Sequence, residues 1–588
     1  MLHRFFLGLL LAASLLACRQ DTSYATGETT DAPAVAFKHT DNVARIALRA
    51  EPTSLNPWLA TDANTRYVRE MIFQTLNSRD PQTQESVPLL AGLPDVSKEP
   101  DGGVSYSFLI DERATWPNGL PVTAADVIFS LKAVLNPLVE AGGYRPYYDM
   151  VANVVTSPNN ERRVKFITKR PYLLAEESLA SIVVYPEYAY DPEGLLRNVR
   201  LADLTNPTVA KRLADRGGDL QTFADQFQDP ALARDPARIV GSGPYALTSW
   251  EENQQLTLTR RDNYWAAKSD DPWLTAGPEQ IVFRIIPDNA TMLNALRDEA
   301  VDVVVAMSVD QFKEARNDEY LKARYDFETV QGLAFFGLLF NQNDPLLRDQ
   351  QTRRALAHLT DVDALIEQLL PGLANRVVGP VLPSKTYYND ELPLIEYSLE
   401  QAEALLAEAG WSDTNGDGTV DKEIDGQREE FVLRFTTPNS PTSLAIGSLL
   451  QEWFRDAGVK LEIDQQDRRA LGGILNKGDF DLFILGQGFD PNPDEFTQVW
   501  ASTSVPPNGS NRGGFSNAEA DRLIKQIKVT LDADERDPLY RRFQEIIYEN
   551  QPMIFLFSPL DRVVVSKRFE FEPKSSSPNL NFNALEQK

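Results

Sequence analysis

The chain has 588 residues, and its 58 Lys and Arg against 85 Asp and Glu give a formal net charge of −27. This acidity argues against nucleic acid as a partner, because a protein that binds phosphates needs a basic surface. The single cysteine excludes a disulfide framework and a CxxC zinc site, and the three scattered histidines exclude an HExxH metal helix. These counts argue against most hydrolytic chemistry, and we expect neither a metal site nor a cofactor.

The amino terminus predicts a secretory signal: a positive charge at Arg4 precedes an apolar run over 5–16 that is too short to span a bilayer. The Leu-Leu-Ala-Cys segment that ends at Cys18 resembles the lipobox of bacterial lipoproteins, which implies a signal peptide over 1–17 and a lipid on Cys18. Residues 18–41 have little hydrophobic periodicity and predict a tether. We expect an extracytoplasmic protein, periplasmic or on the outer face of the cell membrane, held there by its lipid anchor alone. The alternative is an ordinary cleaved signal with a coincidental cysteine.

Three segments show the pattern of a capping box, in which Ser or Thr precedes Asp, Glu or Gln by three residues at the start of a helix. They begin at Thr123, Ser398 and Ser516, and apolar residues follow each of them at helical spacing. We expect a helix after each, with its apolar stripe in the core.

Strands and helices alternate in the last third of the chain. The segments 431–435, 459–463 and 480–485 have the composition of strands, and 446–457 repeats apolar residues at helical spacing. Strand–helix–strand alternation predicts an α/β protein with right-handed crossovers and a parallel sheet.

The segment 486–496 leaves the last of these strands. In parallel sheets ligands lie beyond the carboxyl ends of the strands. The loop combines glycines that allow close approach, stiffening prolines and carboxylates. We therefore expect Gln487, Gly488, Phe489 and Asp490 to contact a ligand. The alternative is an acidic surface turn.

Residues 413–421 imitate the first nine positions of an EF-hand calcium loop. Position twelve, however, is Ile424, where calcium needs a bidentate Glu. The sequence favours a turn over a calcium site.

Several different short motifs are distributed along most of the chain. The most specific is Trp-Pro-Asn-Gly-Leu-Pro-Val-Thr-Ala-Ala-Asp at 116–126, and Gly-Ser-Gly-Pro-Tyr at 241–245 precedes Asn-Tyr-Trp at 263–265. The others lie at 52–57, 301–303, 340–341, 349–356, 407–411, 478–481 and 551–556. The motifs and their order along the chain resemble those of the family 5 extracellular solute-binding proteins. These are the receptors that serve peptide, nickel and related ABC importers. The resemblance runs from about residue 47 to about residue 567.

The resemblance implies a two-lobed periplasmic-binding-protein type II fold with an extra subdomain inserted in the first lobe. The first lobe would comprise 42–75, the inserted subdomain 76–239, then 240–286 and 553–588, with the second lobe at 287–552. Trp116, Pro117 and the turn at 241–245 would then be mainly architectural.

The resemblance also implies how a ligand is held. Peptide-binding members bind the ligand backbone as an added strand and capture its ammonium with a carboxylate. The position of that carboxylate falls on Phe489, with Asp490 one residue later, so the sequence leaves the ammonium partner open. Thr61, Asp62 and Ala63 are expected to contribute contacts from the other lobe. The alternative for Asp62, which the sequence slightly favours, is a solvated loop acid.

These features predict a monomeric receptor that binds oligopeptides between hinged lobes and delivers them to ABC permease subunits, with no catalytic residues. A second hypothesis is a receptor for another solute, such as a metal chelate, a short saccharide or an opine. A third is a secreted hydrolase that uses two converging carboxylates, for example Asp490 and Asp494.

Overall fold

The computed structural model describes residues 36–588 except 61, 81, 82, 84, 142, 306, 572 and 574–579. The predicted signal peptide 1–17, Cys18 and all but the last residues of the predicted tether lie outside the described residues. No helix in the described part is both long and apolar enough to cross a membrane.

The names first lobe, inserted subdomain and second lobe are kept here for the predicted segments. The amino-terminal part of the chain contains one strand and one helix of the predicted first lobe and then the predicted inserted subdomain. Its elements are β1 (Val43–Leu48), α1 (Ala63–Ile72), β2 (Asn77–Arg79), β3 (Ser86–Pro88), β4 (Asp95–Lys98), β5 (Val104–Leu109), α2 (Ala124–Leu135), β6 (Val151–Ser157), β7 (Asn160–Thr168), α3 (Ala175–Ala180), α4 (Glu187–Tyr190), α5 (Leu201–Leu204), α6 (Pro207–Arg216), α7 (Asp219–Phe227) and α8 (Pro230–Arg234). Within the subdomain, β4, β5, β7 and β6 form an antiparallel sheet in that order, and β2 pairs with β3.

The chain then returns to the first lobe. The next elements are β8 (Tyr245–Glu251), β9 (Gln255–Arg260), β10 (Gln280–Ile285), α9 (Asn289–Arg297), β11 (Val303–Val305), α10 (Val309–Asn317), α11 (Glu319–Arg324) and β12 (Tyr325–Gln331). Strand β1 pairs in parallel with both β10 and β11, and β9 and β8 extend the sheet beyond β10.

The second lobe and the carboxyl terminus follow. Their elements are β13 (Ala334–Phe340), α12 (Gln350–His358), α13 (Val362–Leu369), β14 (Ala374–Arg376), α14 (Leu399–Glu408), β15 (Asp421–Ile424), β16 (Gln427–Glu430), β17 (Val432–Pro438), α15 (Pro441–Asp456), β18 (Lys460–Gln466), α16 (Arg468–Lys477), β19 (Leu482–Gly488), α17 (Thr497–Trp500), α18 (Ala518–Ile527), α19 (Ala533–Asn550), β20 (Met553–Ser566), β21 (Phe569–Glu570) and β22 (Glu586–Gln587). Short 3-10 turns lie at Arg145–Tyr147, Ser502–Ser504 and Phe582–Ala584.

Strand β20 belongs to both lobes. Its first residues, 553–557, pair with β13 of the second lobe, and its later residues, 560–566, pair with β12 of the first lobe. The chain also crosses between the lobes where β12 leads into β13. Two extended segments therefore join the lobes, and this is the arrangement in which a few residues can act as a hinge.

The predicted lobe boundaries stay predictions, and two of them can be compared with the strand pairing. Strands β11 and β12 fall in the range 287–552 that the sequence assigned to the second lobe, but they pair with the first-lobe sheet. Residues 553–557 were assigned to the first lobe, but they pair with β13. The sequence could not show this, because one uninterrupted strand serves two sheets.

The predicted parallel sheet is confirmed. Strand β17 pairs in parallel with β18 on one side and with β19 on the other, and α15 and α16 form the crossovers. The α/β fold class predicted from this alternation is therefore present.

Two of the three predicted helix starts are confirmed. Thr123 and Asp126 form the capping box of α2, and the Ser398 side chain accepts the Gln401 N–H at the start of α14. At the third, the prediction of Ser516 is wrong by one residue. Asn517 caps α18, because its side chain accepts the N–H groups of Glu519 and Ala520.

The Gly-Ser-Gly-Pro-Tyr turn is architectural. A Cβ at Gly241 would lie 2.2 Å from the Ile72 carbonyl oxygen, and one at Gly243 would lie 2.6 Å from that of Met71. No side chain fits at these positions, because the turn packs directly on the end of α1. Trp116 is likewise buried in the core of the first lobe.

The EF-hand-like segment uses its carboxylates within its own turn. Asp413 accepts the N–H groups of Gly416 and Gly418, and buried Asp421 accepts from Thr414 and pairs with Arg428 at 3.1 Å. Across the described residues, no group of three or more His, Cys, Asp and Glu could hold a metal ion. The segment is a hydrogen-bonded turn.

Candidate functional site

A cavity of about 1160 Å³ lies between the inserted subdomain and the second lobe. The subdomain contributes residues from 143–150 and 169–181, and the second lobe contributes residues mainly from 485–500 and 510–515. Pockets for drug-sized ligands typically measure about 300–1,000 Å³. This cavity therefore has room for a ligand larger than a single amino acid.

Aromatic side chains dominate the apolar part of the cavity wall. They are Tyr144, Tyr147, Tyr148, Tyr172, Phe335, Phe489, Phe496, Trp500 and Phe515. The rings of Phe335 and Phe489 lie 5.5 Å apart, and Phe335 also packs edge-on against Phe555 at 5.3 Å. The wall offers large, rigid apolar surface to the side chains of a ligand.

The second-lobe residues predicted from the sequence all line this cavity. Gln487 and Gly488 end β19, and Phe489 and Asp490 begin the loop that follows. The Phe489 N–H donates to the carbonyl oxygen of Leu333, which lies between β12 and β13. This bond attaches the start of the loop to the segment that joins the two lobes. The carboxyl end of this strand therefore does lie at the cavity.

One edge of β19 is open at this end. Its parallel pairing with β17 covers only Leu482 and Phe483, although β19 continues to Gly488. On the other side, β13 pairs with β19 along its full length. Among the described residues, no strand pairs with the β17-facing edge of 484–488, and Leu485, Gln487 and Gly488 line the cavity. Such an edge can accept a further strand.

Of the predicted first-lobe residues, the structure describes Asp62 and Ala63. Thr61 lies outside the described residues. Asp62 is the N-cap of α1, where it accepts the Thr65 N–H at 2.8 Å and the Thr53 hydroxyl at 2.7 Å, and Ala63 begins the helix. Neither Asp62 nor Ala63 is among the described residues that line the cavity.

The hydrogen bonds that Asp62 accepts also lower the pKa of its carboxyl group. Burial acts to raise the pKa of Asp62, but the bonds from Thr65 and Thr53 outweigh it and hold the pKa below its usual value. The carboxylate thus serves the helix start.

Asp490 faces the first lobe. Its side chain is 68% exposed, and its Oδ1 lies 3.8 Å from Nη1 of Arg66 on α1. Arg66 is also bound by Glu70, one helical turn further along. The first-lobe helix α1 therefore meets the loop through Arg66, which no sequence motif indicates.

The buried side chain of Lys385 binds the backbone of the same loop at residues 490–492. Nζ of Lys385 donates to the carbonyl oxygens of Asp490, Pro491 and Asn492 at 3.1, 3.2 and 2.5 Å. Its side chain is fully buried. Burial lowers the pKa of Lys385, against the attraction of Asp494.

Asp494 follows the segment 490–492 whose carbonyl oxygens bind Lys385. Its N–H donates to the Tyr387 hydroxyl, its carbonyl accepts from Tyr540, and the two tyrosine rings stack 3.9 Å apart. Its Oδ1 is 3.9 Å from Nζ of Lys385. Burial raises the pKa of Asp494 to about 6, and Lys385 and the Tyr387 hydroxyl only partly offset that effect.

The inserted subdomain contributes a second buried acid. Glu177 on α3 forms an ion pair with Arg79 of β2, and burial raises the pKa of Glu177 despite this partner. Glu177 lines the cavity. No local sequence signal marks Glu177 or Lys385, because their partners lie about a hundred residues away in the chain.

The inserted subdomain also touches the second lobe directly. The Leu173 N–H donates to the Lys528 carbonyl at 2.8 Å, and Leu173 is buried in the second-lobe core. Nζ of Lys528 lies 5.5 Å from the centre of the Tyr172 ring. The cavity is thus bounded by contacts between the two parts of the molecule.

Solved structures of known proteins share this fold. The oligopeptide-binding protein AppA from Bacillus subtilis, in complex with a nonapeptide, superposes with a TM-score of 0.67 over 93% of this chain and 99% of that one, at 23% identity. NikA from Brucella suis, in complex with Fe(III)-EDTA, gives a TM-score of 0.74 at 20% identity and covers 93% of this chain and 100% of that one. The chain therefore has the two-lobed fold of periplasmic binding proteins.

Sequence comparison agrees over the same length. The chain is 26% identical to the oligopeptide-binding protein AppA of Bacillus subtilis over 539 residues, which cover 90% of this chain and 89% of that protein. The family model of bacterial extracellular solute-binding proteins, family 5 middle, matches residues 54–508. This match spans most of the chain and includes the cavity loop, so the protein belongs to the family 5 bacterial extracellular solute-binding proteins.

Proposed function

We propose that this protein is the oligopeptide receptor of an ABC importer. It binds peptides in the cavity between the inserted subdomain and the second lobe and delivers them to the permease subunits. It makes and breaks no covalent bond in its ligand, and it acts as a monomer outside the cytoplasm, anchored by a lipid on Cys18.

The observation that carries this proposal is the open edge of β19. A peptide in extended conformation can pair with residues 484–488 and make main-chain hydrogen bonds that do not depend on its side chains. The aromatic wall then receives the side chains. Known relatives that bear the name oligopeptide-binding protein support the same substrate class.

The two strands that cross between the lobes support a mechanism by closure. Residues near 331–334 and 557–560 connect the sheets, and a ligand that contacts both sides of the cavity favours the closed arrangement. In this proposal the first lobe comprises the segments around the first-lobe sheet, including β11 and β12.

A second candidate is a receptor for a non-peptide solute. The observation that favours it is Phe489, which packs on Phe335 at the position where the family resemblance places the ammonium-binding carboxylate. Two solved structures with this fold, NikZ from Campylobacter jejuni with Ni(L-His) and NikA from Brucella suis with Fe(III)-EDTA, support this candidate.

Isothermal titration with a random tetrapeptide pool tests the first proposal. We expect the pool to bind, and we expect the same pool with N-methylated backbone amides to bind at least about 10-fold more weakly, because methylation removes the donors that pair with β19. Equal binding of both pools would contradict strand addition. Binding of a nickel–histidine chelate without binding of either pool would favour the second candidate.

A further inference from the structure

One residue of the inserted subdomain is buried in the core of the second lobe. Leu173 is 5% exposed and belongs to an apolar cluster whose other buried members, among the described residues, all lie in 335–555. The adjacent Leu174 also packs against this cluster. Leu173 therefore buries its side chain by crossing from one side of the cavity to the other.

The second lobe makes the reciprocal contact. Leu531, in the loop between α18 and α19, packs against the apolar cluster of the first lobe and inserted subdomain. Arg536 of α19 donates to the carbonyl oxygens of Thr530 and Leu531 at 3.2 and 2.8 Å. The second lobe therefore fixes the conformation of this loop by its own hydrogen bonds.

Polar contacts join the two sides at the same place. The Leu173 N–H donates to the Lys528 carbonyl at 2.8 Å. Nζ of Lys528 lies 5.5 Å from the centre of the Tyr172 ring and 3.9 Å from Oε1 of Glu495. We call residues 172–174 together with 528–531 the latch.

The side chain at the centre of the latch lies outside the cavity wall. Tyr172, Leu174 and Lys528 line the cavity, but Leu173 is not among the described residues that do so. A substitution of Leu173 therefore changes the contact between the two sides and leaves the side chains that meet a ligand in place.

We propose that Leu173 is a positioning residue that strengthens ligand binding without contacting the ligand, because the latch forms only when the two sides of the cavity are together. This inference rests on the proposed peptide-binding function. In the open arrangement Leu173 is exposed to water, and closure buries it. The burial of one leucine side chain favours the closed arrangement by a factor of about 10 to 100.

The latch acts equally on every ligand. Apparent affinity falls in proportion to the fraction of the protein that is in the binding-competent arrangement. Since the latch contacts are made by the protein alone, they raise that fraction by the same factor whatever the cavity contains. The cavity wall then decides which ligand binds, and the latch contributes to how tightly it is held.

The test is isothermal titration of the full chain and of Leu173→Ala with two tetrapeptide pools, one built from leucine and phenylalanine and one from alanine and serine. We expect the variant to bind each pool about 10- to 100-fold more weakly than the wild type, with the same factor for both. If only one pool binds the wild type, the loss for that pool decides.

A matched control separates the latch from ordinary core packing. Leu131→Ala makes the same change on α2 of the inserted subdomain, where Leu131 is fully buried in the subdomain's own core. It should lower the midpoint of urea denaturation of the ligand-free protein and keep the wild-type affinity. Leu173→Ala should do the opposite, because the ligand-free protein is mostly open and already exposes Leu173.

Four results would overturn the inference. Unchanged affinity of Leu173→Ala would remove the latch from binding. A clear fall in its urea midpoint, or failure of this variant to fold, would make Leu173 a permanent core residue. Unequal losses for the two pools would make it a ligand contact. Each of these leaves the peptide receptor intact, whereas failure of the wild type to bind either pool removes the proposed function as well.

Discussion

Lys385 stabilises the cavity through backbone rather than side-chain partners. Its ammonium binds three consecutive carbonyl oxygens and lies beside Asp494, all in a buried setting. Three consecutive carbonyls that point at one cation fix the path of the loop, and hence the positions of Asp490 and Asp494 at the cavity.

Replacing Lys385 with Met should therefore destabilise the protein. The change leaves three carbonyls without their donor and Asp494 without its nearest cation. We expect the free energy of unfolding to fall by about 3–5 kcal/mol, the usual result of removing one partner of a buried ion pair. Urea denaturation measures it. Lys477→Met, at an exposed position in the last turn of α16, should change the free energy by less than about 0.5 kcal/mol.

The raised pKa of Asp494 predicts a pH dependence of stability. The carboxyl has a pKa of about 6 in the folded protein against 3.8 as its ordinary value, so between these values the folded state binds the proton more tightly. Stability contributed by this group is therefore present at pH 4 and is lost as pH rises through 6.

Asp494→Asn removes that dependence. Relative to the wild type, the variant should gain about 2–3 kcal/mol in unfolding free energy between pH 4 and pH 7. Urea denaturation in buffers across this range measures the difference. A constant difference between the two proteins at every pH would show that Asp494 does not titrate in this window.

At single residues the sequence is most informative where one local segment carries the information, and the ligand contacts predicted there stay predictions. Gln487 to Asp490 follow a strand that the pattern identifies, and the structure places them at the cavity. Glu177 and Lys385 gain their roles from Arg79 and from the loop at 490–494, which are adjacent only after folding. For Asp62 the sequence offered a ligand contact or a solvated loop acid, and the structure instead uses its carboxylate as the cap of α1.

At the scale of elements, helix α18 offers a direct check of the corrected cap. Asn517→Ala should cost about 1 kcal/mol of unfolding free energy, because it removes the acceptor for the N–H groups of Glu519 and Ala520. Ser516→Ala, one residue earlier and exposed, should cost close to nothing. Chemical denaturation of both variants measures the two values, and the reverse order would restore Ser516 as the cap.

Helices and strands were predictable where the apolar residues within one segment repeat at helical or strand spacing. The three strands and the helix that the sequence predicts in the last third are present, with boundaries that differ by a few residues. The parallel pairing of this unit was predictable, because strand–helix–strand units form parallel sheets. The order of its strands, with β17 between β18 and β19, was not predicted. The neighbours of β20 include β12 and β13, which lie more than two hundred residues away in the chain.

At the scale of the whole molecule, closure on a ligand is the central expectation. Small-angle scattering should show a smaller radius of gyration when the tetrapeptide pool is added, since a ligand that bridges both sides favours the compact state. An unchanged scattering profile, together with measurable heat of binding, would mean that the ligand binds without movement of the lobes.

The proposed lipid anchor on Cys18 can be tested independently of ligand binding. Cys18→Ser should move the protein from the membrane fraction to the soluble fraction, because the lipid is the proposed attachment. Immunoblotting of the two fractions measures this. Retention of the variant in the membrane fraction would contradict the lipoprotein prediction, and the unchanged chain serves as the control.

Strand β20 also bears on biogenesis. It lies close to the carboxyl terminus, yet it supplies β13, β12 and β11 with a partner. While the chain emerges from the amino end, β11, β12 and β13 therefore lack this partner until β20 has been synthesised. A truncation before residue 553 would damage both halves at once, and neither half can be excised as an independent unit by a single cut.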